Sequence, residues 1–214
     1  MAHDLTVWGV GTPRTMRVHW MLLELGLEYE CHPIQSRTGE THTDEFKRLN
    51  PRHKIPVLRH GSLVLTESAA IIQYLSETFP NSTQVYVPND AVGRARLNEW
   101  CCFILSELDA GSLHVVRRHD GLKQIYGEAP TAVASAKSYF LHNVDAMAAR
   151  IGSDGSYLFG EKLSAADILL GTCLDWARSC GISLPETVSS YRQRVALRPA
   201  YQAALKKNFP QDKA

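Results

Sequence analysis

The chain lacks most of the features that announce a special environment. No run of about 18 apolar residues occurs, the length a helix needs to cross a bilayer. Neither sign of charge dominates. Lysine and arginine number 23, aspartate and glutamate 22, and the net charge is +1, so neither nucleic acid nor an anionic membrane is expected as a partner. The five cysteines (31, 101, 102, 173 and 180) form no Cys-x-x-Cys pair, and none lies between residues 1 and 30. An odd number without a framework fits reduced thiols in a cytoplasm. The start, Met1-Ala2-His3-Asp4, lacks the basic-then-apolar layout of a secretory leader, which gives the same expectation. There is no His-x-x-x-His and no Cys/His cluster, so no metal is expected. Internal repeats and low-complexity segments are missing as well.

What remains is an ordinary globular composition. With 214 residues, 44% hydrophobic and 21% charged, the chain can bury one large or two modest cores. Leu5 to Trp8 is a short β-favouring run that ends in the turn-rich Gly9-Val10-Gly11-Thr12-Pro13. Arg14 to Leu25 carries a helical apolar stripe through Met16, Trp20 and Leu23, and Gly26 stops it. Tyr29 to Ile34 reads as a second strand and Asp44 to Leu49 as a short helix. A hairpin over His60-Gly61-Ser62 and a helix from about Glu67 to Thr78 follow. The order β-α-β-α-β-β-α is that of a thioredoxin-like domain, over residues 1–80. Phe79-Pro80-Asn81 and Pro88-Asn89-Asp90 break the pattern, which places a linker at 81–90. Residues 91–214 read as an all-helical domain: Ala91 to about His119, Thr131 to Arg150, Ser164 to Cys180, and shorter helices at Pro185 to Ala196 and Pro199 to Lys207. Ser164-Ala165-Ala166-Asp167 is a capping box before an apolar run, so its helix should be buried and its cap worth about 1 kcal/mol.

One stretch carries chemistry. In Asn50-Pro51-Arg52-His53-Lys54-Ile55-Pro56-Val57-Leu58, Pro56 has no N–H for a ladder and pushes Ile55 into an extended conformation. The Ile55-Pro56 bond is a candidate for the cis form, with the Ile55 backbone groups available to another chain. Downstream, Thr66-Glu67-Ser68 opens a helix whose first turn has unpaired N–H groups and a positive dipole end, a setting for a carboxylate.

Asn-Pro-x-x-Lys-Ile-Pro-Val-Leu followed by Thr-Glu-Ser-x-x-Ile-x-x-Tyr-Leu resembles the glutathione-binding half of cytosolic glutathione transferases. The Ser-x-x-Asp box resembles the start of the core helix in their helical domain. The resemblance implies that glutathione is the co-substrate and that the Ile55 backbone pairs with the cysteinyl residue. It implies that Glu67 takes the γ-glutamyl amine, that Ser68 takes the γ-glutamyl carboxylate, and that Lys54 and His42 hold the glycine carboxylate. In serine-type members the activating hydroxyl stands five residues before an Arg-Val pair. Thr12 stands in that relation to Arg17-Val18, with Thr15 as second candidate. A threonine there is a departure, since the family more often shows Ser, Tyr or Cys. Both threonines also suit plain capping roles. The first strand has no tyrosine and the first loop no cysteine, which disfavours the tyrosine-type and glutaredoxin-like classes. His53 stands where the family often has glycine.

A thiol must ionise to attack, and its free pKa lies near 8.5, so the protein must donate a hydrogen bond and supply positive potential. The expected reaction is attack of glutathione thiolate on small, largely apolar electrophiles. Peroxidase, dehalogenase or isomerase chemistry on the same thiolate, or a non-catalytic binding protein on the same fold, are the alternatives. The resemblance places the electrophile between the domains, with Val10, Gly11, His114, Arg117, Arg118 and Tyr126 as candidate contacts. It also implies a homodimer.

Overall fold

The computed structural model describes residues 4–79, 85–151 and 157–210, so residues 81–84 of the expected linker lie outside the described residues. The chain divides into two compact units, Met1–Val87 with Leu197–Ala214, and Pro88–Ala196.

The first unit is built on a four-stranded sheet of order β2-β1-β3-β4, with β1 at Leu5–Trp8, β2 at Glu30–His32, β3 at Val57–His60 and β4 at Leu63–Thr66. β1 pairs parallel with β2 and antiparallel with β3, and β3 pairs antiparallel with β4. The β1–β2 crossover is α1 (Pro13–Glu24), as a parallel pair requires. α2 (Asp44–Leu49) and α3 (Ser68–Thr78) complete the expected thioredoxin-like order. Trp8 and its cross-strand partner Val57 share one face of the sheet with Phe46 of α2, and Ile34, Leu49 and Ile55 pack around them. The second strand is shorter than its sequence pattern suggests, running from Glu30 to His32, although the Val10 N–H still donates to the Ile34 carbonyl beyond it at 3.0 Å.

The helical unit opens with α4 (Ala91–Phe103), capped by Asp90. The helix continues beyond α4, as expected, but its winding changes. A π-helical stretch (Ile104–Leu113) leads through α5 (His114–Val116) into a second one (Arg117–Gly121), then α6 (Lys123–Tyr126). Gly111 sits inside the first wide stretch, where a Cβ would lie 2.9 Å from the Ser106 carbonyl oxygen. α7 (Pro130–Ala148), α8 (Ala165–Ser179) and α9 (Glu186–Ala196) follow. α8 is the buried centre, and both halves of its capping box are made. Asp167 accepts from Ser164 N–H and hydroxyl, Leu158 N–H and the Tyr191 hydroxyl, the last at 2.5 Å. Burial pushes this carboxyl up, against four donors that hold it down.

α10 (Pro199–Asn208) departs from the sequence reading, which put it in the helical domain. It packs along α1 and belongs to the first unit. Tyr201 meets buried Trp20 edge-on at 5.0 Å, and Arg198 grips buried Glu24 through two hydrogen bonds of 2.7 and 2.6 Å. A carboxylate this enclosed needs such a partner.

Candidate functional site

The Ile55–Pro56 peptide is cis. β3 begins at Val57, so Ile55 lies just outside the ladder, as a proline at the strand mouth dictates. Buried Asn50 closes the approach. Its amide donates to the Lys54 carbonyl at 2.8 Å and its oxygen accepts from the Arg52 N–H at 3.1 Å. His53 turns the corner at φ 54°, in the left-handed region where glycine is at ease, which is the physical reason glycine suits this position. The Nδ1–H of His53 donates to the Thr41 carbonyl at 2.8 Å, and His42 stacks on the ring at 4.5 Å. Exposed His42 is thereby held beside the residue that precedes exposed Lys54.

At the start of α3, Glu67 occupies φ 68°, an uncommon conformation for a residue with a side chain. Its carboxylate does not cap the helix. It projects outward and meets Arg52 at 2.8 Å, while the same guanidinium donates to Thr66 at 2.8 Å. Ser68 is buried, and its oxygen accepts from Arg17 at 3.2 Å. Because Arg17 can only donate, the Ser68 hydroxyl hydrogen is left for another acceptor. The Arg17 guanidinium that makes this bond is fully buried, and the helix N-terminus adds its own positive dipole end.

The first loop lies against the bend. Gly9 sits at φ +117°, and a Cβ there would stand 2.6 Å from the Ile55 Cβ and 3.0 Å from Thr15 Cγ2. Only glycine permits that approach. Thr12 is the N-cap of α1, and its hydroxyl accepts from the Thr15 N–H at 3.0 Å. The Thr15 hydroxyl accepts in turn from the Thr12 N–H at 3.0 Å. Thr12 is 6% exposed and Thr15 wholly enclosed. Behind the loop, His19 bridges the Gly9 carbonyl at 3.0 Å and the Tyr29 hydroxyl at 2.8 Å. A carbonyl only accepts, so Nε2 carries the proton and Nδ1 accepts from the Tyr29 hydroxyl. Burial lowers the His19 pKa to about 4, the Gly9 bond opposes this, and the Lys207 charge adds to it.

Two family patterns match the chain: "Glutathione S-transferase, N-terminal domain" over residues 3–77 and "Glutathione S-transferase, C-terminal domain" over residues 130–205. The chain belongs to the glutathione S-transferase family. Maleylpyruvate isomerase of Ralstonia sp is 30% identical over 181 residues, covering 83% of this chain and 82% of that protein. Glutathione S-transferase GstA of Escherichia coli O157:H7 is 29% identical over 165 residues, covering 76% and 77%. Among solved structures, a glutathione transferase homologue from Lodderomyces elongisporus with two glutathione molecules per subunit superposes with a TM-score of 0.86. It is 19% identical and covers 97% of this chain and 99% of that one.

Within this glutathione S-transferase fold Thr12, Thr15, Ile55, Glu67 and Ser68 all belong to the first unit, as do Lys54 on the bend loop and His42 at the end of a short turn before α2. Val10 is buried and Gly11 exposed in the same loop as Thr12. His114, Arg117 and Tyr126 belong to the helical unit, in the span between the two matched family patterns. Arg117 lies 5.9 Å from the Trp176 ring, and Arg118 stands 4.1 Å over the ring of Tyr126, which is partly exposed. A cavity of ≈ 240 Å³ also opens between Trp8, His32 and α2, and none of the expected glutathione contacts lines it. No group of side chains among the described residues could hold a metal ion. Three residues of the site escaped the sequence reading. Gly9 was legible only as a turn residue, Arg52 only as part of the proline stretch, and Asn208, whose side chain bonds the Thr12 carbonyl and the Thr15 hydroxyl, carries no local signal at all.

Proposed function

We propose that this chain binds glutathione on its first unit and uses the thiolate to attack small, largely apolar electrophiles. The observation that supports the reading is the close approach of Gly9, three residues before Thr12, to Ile55 at the cis-proline bend. A cysteinyl residue paired with the Ile55 backbone would hold its sulfur near the N-terminus of α1, capped by Thr12, where the hydroxyl and the helix dipole both favour the thiolate. Glu67 takes the γ-glutamyl amine, and Ser68, over Arg17, takes the γ-glutamyl carboxylate. Lys54 and His42 hold the glycine carboxylate. On the helical unit, His114, Arg117 and Tyr126 are proposed contacts of the second substrate, with Val10 and Gly11 on the first loop. A homodimer in the cytoplasm is the proposed working form, and light scattering on purified protein tests the dimer.

Calorimetric titration of glutathione into wild type, Thr12→Ala and Glu67→Ala, with chlorodinitrobenzene conjugation on the same samples, tests this reading. Wild type should bind and conjugate, Glu67→Ala should lose binding, and Thr12→Ala should bind but lose rate. Wild type that fails to bind millimolar glutathione would refute the enzyme reading. A second reading, glutathione-dependent isomerisation, is favoured by the 30% identical isomerase relative. The two differ in stoichiometry: conjugation consumes one glutathione per turnover, whereas isomerisation returns it.

A further inference from the structure

We infer that Asn208, the last residue of α10, is a positioning residue for thiol activation: it fixes the Thr12 loop and reserves Thr12, not Thr15, as the hydrogen donor to the sulfur. The inference rests on the glutathione reading above. Asn208 is fully buried. It reaches back 196 positions to donate from Nδ2 to the Thr12 carbonyl at 3.1 Å. Its Oδ1 accepts from the Thr15 hydroxyl at 2.6 Å, and its own carbonyl accepts from the Gly11 N–H at 2.8 Å. That last bond also satisfies one of the carbonyls a helix leaves open at its C-terminus. Three bonds from one residue thus pin Gly11, Thr12 and Thr15.

Counting protons then separates the two threonines. The Thr12 carbonyl can only accept, so the amide must turn its nitrogen there and its oxygen to Thr15. The Thr12 carbonyl already has a second donor, the Met16 N–H at 3.0 Å. The Thr15 hydroxyl also lies 2.9 Å from that carbonyl, but the carbonyl's two lone pairs are taken by Asn208 and Met16, so the single Thr15 hydroxyl hydrogen goes to Oδ1, its shortest contact. In the 3.0 Å contact between the two hydroxyls, Thr12 is then the donor. Its hydrogen is the one that can rotate from Thr15 to an incoming sulfur, and Thr12 is the one of the pair with any exposure. Asn208 acts through Thr12 and touches no reacting atom.

The test measures two quantities on full-length protein: glutathione affinity by calorimetry, and the pKa of the bound thiol from the ultraviolet absorbance of the thiolate against pH. The variants are Thr12→Val, Thr15→Val, Asn208→Leu and Asn208→Ser, with Arg198→Met as a control that loosens α10 elsewhere. Wild type should bind and hold the thiol well below its free value. Thr12→Val should return it towards that value, and Thr15→Val should leave it largely depressed. Both Asn208 variants should raise it by roughly one unit while affinity changes less than about threefold. Arg198→Met should lower Tm and leave the thiol pKa in place. Serine at 208 is too short to span both partners and leaves a smaller defect, so it serves if the leucine variant does not fold. Wild type that binds and ionises the thiol, with both Asn208 variants unchanged or Arg198→Met shifting it equally, overturns the role of Asn208 alone. Wild type that does not bind overturns the glutathione reading and this inference together.

Discussion

Two residues show backbone conformation set against side-chain identity, with opposite consequences. Glu67 holds φ 68°, which costs a residue with a Cβ of order 1–3 kcal/mol, and its side chain offers the fold little in return. Its ion pair with Arg52 is exposed and of a kind worth less than about 1 kcal/mol. Glu67→Gly should therefore unfold within about 1 kcal/mol of wild type, or above it, while losing glutathione affinity at least tenfold. Urea unfolding and calorimetry on one preparation check this. A large loss of stability would show that the glutamate serves the fold. Gly9 is the converse. Alanine there meets φ +117° and the Ile55 Cβ at 2.6 Å, backbone strain together with overpacking. Gly9→Ala should cost at least about 2 kcal/mol and also reduce affinity, because the bend must retreat. A variant as stable as wild type would mean that the loop and bend are not packed as described.

Elements meet through a few buried polar groups, and these give the fold a pH signature. His19 of α1 stays neutral between the Gly9 carbonyl and the Tyr29 hydroxyl, with a pKa lowered to about 4 chiefly by burial. The unfolded chain takes up a proton near pH 6.5 that the folded chain refuses until about 4, so stability is unaffected above that window and falls as pH drops through it. The full loss is on the order of 3 kcal/mol. His19→Gln, with an amide that can donate to Gly9 and accept from Tyr29, should flatten the slope between pH 6.5 and 4 in urea titrations. An unchanged slope would assign it to other groups. Much at this scale was legible in the residues: the stripe of α1, the box at Ser164–Asp167, and the order of strands. Proline restriction and local periodicity act over a few positions, so they can be read without the fold. The left-handed corners at His53 and Glu67 could not be read so directly. Neither is glycine, and the partners they meet there, the Thr41 carbonyl and the Arg52 guanidinium, stand 12 and 15 positions away.

At the scale of the whole molecule, chain order and packing diverge, which is why the sequence put α10 with the wrong neighbours. A short helix after a helical run looks like its continuation, and nothing local in Tyr201 or Asn208 states that their partners are Trp20 and Thr12. Packing makes α10 a part of the first unit. Ending the chain at Ala196 would strip the cover from Trp20 and leave the Glu24 carboxylate without Arg198. Burial of a tyrosine-sized side chain contributes roughly 2–3 kcal/mol, and breaking a buried ion pair from one side costs about 3–5. Whole domains hold only about 5–15 kcal/mol, so the loss should unfold the unit at the opposite end of the sequence from the cut. Hydrogen exchange on the truncated protein should show α1 amides unprotected while α8, buried within the helical unit and held by its own cap, keeps its protection. Protection of α1 equal to that in the full chain would return α10 to the role of a dispensable tail. Loss at α1 alone makes α10 the closing element of the proposed glutathione site, packed on α1 from the far side of the helical unit in the sequence.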